Sequence, residues 1–148
     1  MLHRRTPKAR RQGVTIVETA LVVAVFLLFL FGLFEYGRYI MLRQLLDNAA
    51  REGARLAIIG TTTKTTQDIQ NQVNTALVSQ QQAFDTVTIQ VYKANAAGNS
   101  AGTWNSAALG ERIAVQVDAT YKPLIPTFGI LPSTVSVRAK SVMRSEAP

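Results

Sequence analysis

Between Val14 and Phe34 the chain is apolar at nearly every position, interrupted only by Thr15, Glu18, Thr19 and Gly32. As a helix, this stretch of about 21 residues reaches about 32 Å, against a hydrocarbon layer of roughly 30 Å. A single membrane crossing is therefore expected. After Tyr36 and Tyr39, which suit a membrane–water interface, the pattern changes period. Leu42, Leu45, Leu46, Ala49, Ala50, Gly53, Ala54 and Ala57 recur in steps of three and four, while Arg43, Asp47, Arg51 and Arg55 fall on the other side. The spacing predicts one helix from Val14 to Ile59, about 69 Å long, stopped by Gly60 and a threonine run.

Polar and apolar positions beyond Gly60 predict a small second layer. Thr65 and Asp68 open a capped helix with Ile69, Val73, Ala76 and Leu77 on one face, ending near Gln82. Strict alternation then marks strands at 86–92, 113–119 and 135–139, each with one buried and one wet face. Ala94 to Gly110, rich in Ala, Asn, Gly and Ser, reads as a loop, and Pro123 to Pro132 cannot be a central strand. The fold class expected is α+β: a long N-terminal transmembrane, pilin-like α-helix, a second short helix, and a three- to four-stranded antiparallel β-sheet. The expected divisions are a basic leader at 1–13, a membrane helix at 14–36, its continuation at 37–59 and an outer domain at 60–148. Ala49, Ala50, Gly53, Ala54 and Ala57 leave the helix thin enough for close approach, either by the protein's own sheet or by a neighbouring helix. The lower part of so long a rod is expected to pack on lipid or on neighbouring rods.

Charge changes the picture at the N-terminus. Arg4, Arg5, Lys8, Arg10 and Arg11, with His3 and no acid, precede the apolar run, which places the N-terminus in the cytoplasm and the C-terminal domain outside. Arg38 and Arg43 on the far side are fewer and are offset by Glu35 and Asp47. The net charge of +7 is largely this leader; without its five basic residues the chain is only about +2. Binding of nucleic acid is thus not expected. A cleaved secretory signal fits poorly, because its apolar region normally runs to about 7–15 residues and ends at small side chains. The segment should be retained in the inner, cytoplasmic membrane as a single-pass anchor.

Glu18 stands out, because a carboxylate inside a membrane segment costs up to about 3 kcal/mol and normally has a partner. Cleavage after Gly13 would supply one: the α-amino group of Val14 would lie four residues before Glu18, or on a neighbouring subunit. The other reading leaves Glu18 at the headgroup level, solvated or protonated.

The junction of Gly13, Val14 and Glu18 resembles the cleavage site of type IV prepilins, in which glycine precedes the cut and glutamate is the fifth mature residue. The segments Val17-Glu18-Thr19-Ala20-Leu21-Val22, Phe31 to Arg38 and Asn48 to Arg55 resemble, in that order, the TadE-like proteins of tight-adherence pilus systems. Residues 113–146 are similar to that family's closing segment. Two positions depart from the pattern: Thr19 stands where an aromatic residue commonly follows the glutamate, and no proline interrupts the apolar run. The resemblance implies a pseudopilin, a minor pilin-like protein of an adhesive fibre or its assembly machine. It also implies a prepilin peptidase, other pilin-like subunits and Tad assembly proteins as partners.

Catalytic chemistry is not expected. His3, the sole histidine, lies in the leader and there is no cysteine, so the outer domain has neither His-based acid–base catalysis nor thiol chemistry and no His- or Cys-bound metal. Asp68, Asp85, Glu111, Asp118 and Glu146 read as solvating charges, and no phosphate-binding glycine loop or nucleophile elbow is present. No cofactor, metal or small-molecule substrate is expected. Trp104 either covers the edge of a small core or serves as a recognition anchor. The latter belongs to the alternative function: an uncleaved, signal-anchored extracytoplasmic binding domain.

Overall fold

A computed structural model of the chain describes residues 9–124 and 133–146, with side chains described from residue 13 onward. The leader before Ala9 and most of the proline segment, residues 125–132, lie outside the described residues. The chain forms two compact units, Met1–Gly37 and Arg38–Pro148. Its elements are α1 (Ala9–Ile59), α2 (Thr66–Leu77), β1 (Phe84–Ala94), β2 (Arg112–Tyr121) and β3 (Val135–Arg144), with short 3-10 turns at Val78–Ala83 and Trp104–Ser106. This is the α+β class that the polar and apolar pattern predicts.

Helix α1 starts earlier than Val14 and passes through Gly13 without a break. Ala, Arg and Gln are good helix formers, and an interior glycine costs only about 1 kcal/mol, so nothing in residues 9–13 stops the helix. In the first unit its apolar side chains are exposed: Val14 and Phe34 each keep 68% of their surface, and Leu28 keeps 60%. Among the described residues, α1 is the one helix long and apolar enough to cross a membrane, which fits a membrane anchor.

The second unit has a continuous core. Leu42, Leu46, Ala49, Ala50, Ala54 and Ala57 of α1 are fully buried with Ile69 and Val73 of α2 and Ile113, Val115 and Val117 of β2. The chain leaves α1 by a turn in which the N–H groups of Thr63 and Lys64 donate to the Gly60 carbonyl at 3.1 and 2.8 Å. Thr65 then caps α2: its hydroxyl accepts from the Asp68 N–H at 3.2 Å, and its own N–H donates to Asp68 Oδ2 at 2.8 Å. The Asp68 carboxyl lies below its ordinary value because it accepts from the Thr65 backbone N–H and, at 2.9 Å, from the Thr65 hydroxyl, with Lys64 nearby. The α-helix closes at Leu77, short of the expected Gln82, and tightens into 3-10 turns whose side chains are not buried. With no apolar stripe left to seat, Ser79 to Gln82 gain nothing from continuing on the core.

The sheet is an antiparallel meander in the order β1-β2-β3. β1 and β2 extend the alternating segments by one or two residues at each end, and β3 starts where expected but runs on from Ala139 to Arg144, because backbone pairing continues beyond the marked segments. The register runs Thr88↔Asp118↔Arg138 and Gln90↔Gln116↔Lys140 across the three strands. Odd-numbered side chains face the core; Val137 and Ala139 of β3 are buried there. Even-numbered positions form the opposite, mainly polar face.

Candidate processing and assembly site

Val14 and Glu18 lie one turn apart on α1, and Gly13 is beside Val14 on the first of those turns. With Val17, Leu21 and Val22 they line a shallow apolar depression on α1. A side chain at Gly13 would meet nothing within 4 Å, and the same holds at Gly32 and Gly37. The chain's own packing therefore gives no steric reason for these three glycines. One turn away, the Thr19 hydroxyl donates to the Thr15 carbonyl at 2.8 Å, so this departure from the pilin pattern is absorbed by the helix backbone. The geometry puts a carboxylate about one turn beyond the position a new chain terminus would occupy if the bond after Gly13 were cut.

The thin stripe of α1 is placed differently. A Cβ built at Gly53 would lie 2.5 Å from Val73 Cγ2, 3.3 Å from Val115 Cγ1 and 3.5 Å from Ile69 Cγ2. Ala49, Ala50, Ala54 and Ala57 are wholly buried in the same core. These five residues thus let α2 and β2 of the same chain approach the α1 backbone. Just before them, Tyr39 packs on Tyr121 with ring centroids 6.3 Å apart. Arg38 lies over the Tyr121 ring at 5.5 Å and donates to the Lys122 carbonyl at 3.1 Å. The sequence pattern gave Tyr39 an interface role; its contact with Tyr121 is long-range, and no local signal reveals it.

Trp104 is only 4% exposed, and its indole N–H donates to the Thr66 hydroxyl at 2.9 Å. Of the two roles open to it, the core-covering one is realised. The loop that carries it is tied down by Glu111, which accepts from the Ala108 N–H at 2.8 Å and pairs with Lys93 at 2.6 Å. Hydrogen bonding from Lys93, then from the Ala108 backbone, holds the Glu111 carboxyl below its ordinary range.

On the polar face of the sheet, Tyr92 donates to Gln116, Gln116 to Asp118 at 2.7 Å, and Arg138 to the other oxygen of Asp118. Partial burial opposes ionisation of Asp118, but the bonds from Gln116 and Arg138 outweigh it and lower its pKa. Lys140 donates to the Gly98 carbonyl at 2.8 Å, holding the β1–β2 loop over this face. Asp68, Glu111 and Asp118 are thereby engaged in structural contacts. Among the described residues, no group of three His, Cys, Asp or Glu side chains could hold a metal ion.

No curated protein and no solved structure matches the chain. One family does: residues 13–55 match TadE-like protein, beginning at Gly13 and ending at Arg55, so the likeness of the closing strands is not part of the match. That family suggests a structural, pilin-like protein related to Tad pili, and the apolar α1 fits a membrane anchor in such a system. Over residues 13–55 the chain is thus similar to TadE-like proteins, from the candidate processing glycine to Arg55, about one turn before the end of α1.

Proposed function

We propose that this protein is a minor pilin-like subunit for assembly of an adhesive tight-adherence pilus, processed by a prepilin peptidase after Gly13. Its N-terminus faces the cytoplasm, its outer unit lies beyond the inner membrane, and it assembles with other pilin-like subunits and Tad assembly proteins. It carries out no catalysis; the chemistry is done to it by the peptidase.

The observation that carries this reading is the bare apolar surface of α1 from Val14 to Phe34, with Glu18 its one charged residue, about one turn past Val14. Cleavage would make Val14 the start of the helix. Its ammonium group, on the same chain or across a subunit contact, and the positive end of the helix dipole would then both offset the negative charge of the Glu18 carboxylate. Both interactions are strong only where water is excluded.

The test is the intact mass of the full chain extracted from its native membrane. A species beginning at Val14 is expected, with or without a methyl group on its amine; a chain retaining residues 1–13 in assembled pili would overturn the reading. Glu18→Gln separates cleavage from assembly. The variant should still lose its leader yet incorporate into pili at least tenfold less, and normal incorporation would remove Glu18 from the assembly step.

A further inference from the structure

The two edges of the sheet are not alike. Along β1 the outer edge is occupied: Lys93 exchanges backbone bonds with Gly102 and Ala101 at 2.9 and 2.7 Å, the Gln70 amide donates to the Ile89 carbonyl, and the strand begins with a register shift between Phe84 and Thr86. Bulges and covering loops of this kind blunt an edge against further pairing. The β2–β3 ladder, by contrast, runs from Arg112↔Arg144 to Tyr121↔Val135 without a shift. Among the described residues no strand lies beyond β3.

Which backbone groups of β3 are open follows from the ladder itself. Ser145 N–H donates to the Glu111 carbonyl at 2.7 Å, so odd-numbered residues of β3 turn their backbone groups toward β2. In an antiparallel ladder the intervening residues turn theirs the other way. Ser136, Arg138, Lys140, Val142 and Arg144 therefore present N–H and C=O groups to the open edge, and their side chains share the polar face. That face carries Arg138, Lys140, Arg144 and, in register with Arg144, Arg112, against Asp118 alone. A chain that is almost neutral beyond its leader thus concentrates cations along one strand edge.

We propose that β3 is a docking edge for an extended acidic segment of a partner protein, which adds to the sheet as a fourth strand. Acidic side chains at alternate positions of the incoming strand would lie beside Arg138, Lys140 and Arg144 at the roughly 5 Å separation of cross-strand neighbours. Apolar side chains at the intervening positions would cover Val135 and Met143, which the core covers only in part. The same cations exclude a second copy of this edge, because antiparallel self-pairing would set like charges opposite one another. A polyanion without a backbone ladder would satisfy the charges and leave the row of N–H and C=O groups unmatched.

The test titrates the full chain in detergent with a ten-residue peptide of alternating valine and glutamate, and compares one of valine and lysine, while amide exchange is followed residue by residue. In the free protein the amides of Arg138, Lys140 and Val142 should exchange faster than those of Val137 and Ala139, and the acidic peptide alone should slow them. Lys140→Glu with Arg144→Glu should weaken that peptide at least tenfold and admit the lysine peptide. Val142→Pro, which removes one outward N–H without altering charge and is tolerable at an edge, should weaken it comparably. Equal protection of all five amides in the free protein would overturn the proposal. So would absence of peptide binding, or binding that Val142→Pro leaves intact and polygalacturonate displaces, which is attraction to a polyanion only.

Discussion

Two lengths of the same helix, 14–34 and 38–59, are both rich in apolar and small residues but differ in what surrounds them. In the second, Leu46 is fully buried and Gly53 has three side chains of α2 and β2 within 3.5 Å of where a Cβ would sit. In the first, Leu28 is 60% exposed and Gly32 faces open space. The stability of the second unit accounts for the second set of residues and says nothing about the first. An apolar surface of this extent on a soluble chain would be an aggregation liability, and the physical setting that removes the liability is a bilayer or a bundle of like helices.

Paired substitutions sharpen that contrast. The largest effect is expected from Leu46→Ala, which should cost about 3 kcal/mol of second-unit stability through a core cavity, whereas Leu28→Ala should leave the unfolding midpoint unchanged. Chemical denaturation of the detergent-solubilised chain, followed by near-ultraviolet circular dichroism, measures both. Next is Gly53→Ala: its methyl would press on Val73, and overpacking offset by better helix propensity leaves a net loss of about 1–2 kcal/mol. Gly32→Ala, with nothing to press on, should cause no such loss. Removing the α2 cap with Thr65→Ala should cost about 1 kcal/mol in the same assay.

The smallest effect is on pH dependence. Asp68 and Asp118 lie below an ordinary value of 3.8 and Glu111 below 4.5 when folded. Groups with depressed folded pKa values stabilise the fold fully above the unfolded values, and that stabilisation is lost as pH falls through the folded ones. Denaturation midpoints of the second unit should therefore be flat from neutrality to about pH 5 and decline below about pH 4. A midpoint that instead rises on acidification would contradict the hydrogen-bonding assigned to these three carboxylates.

Local signals made much of this architecture readable. The apolar run, the three- and four-residue stripe, the Thr65–Asp68 box and the alternating strands each report a short-range preference that the core then exploits. What they left open was long-range. Whether the alanine–glycine stripe meets its own domain depends on where Val73 and Val115 arrive, and whether Trp104 is buried depends on Thr66, 38 residues away. The apolar run predicts a start at Val14, whereas α1 begins at Ala9, because residues 9–12 are good helix formers and a single glycine at 13 does not end a helix. Net charge averages over faces and hides the basic edge of β3; only the register sets Arg112 opposite Arg144 and Asp118 opposite Arg138.

The central claim, that the first length of α1 is covered by the membrane or by neighbouring helices while the second is covered by its own domain, can be tested directly because the chain contains no cysteine. Single cysteines at Leu28 and at exposed Gln72, in sealed right-side-out vesicles of the native membrane, can be challenged with an impermeant maleimide. The account predicts rapid labelling at Gln72→Cys and none at Leu28→Cys until the protein is denatured. Labelling of Leu28→Cys at the rate of Gln72→Cys in sealed vesicles would contradict it.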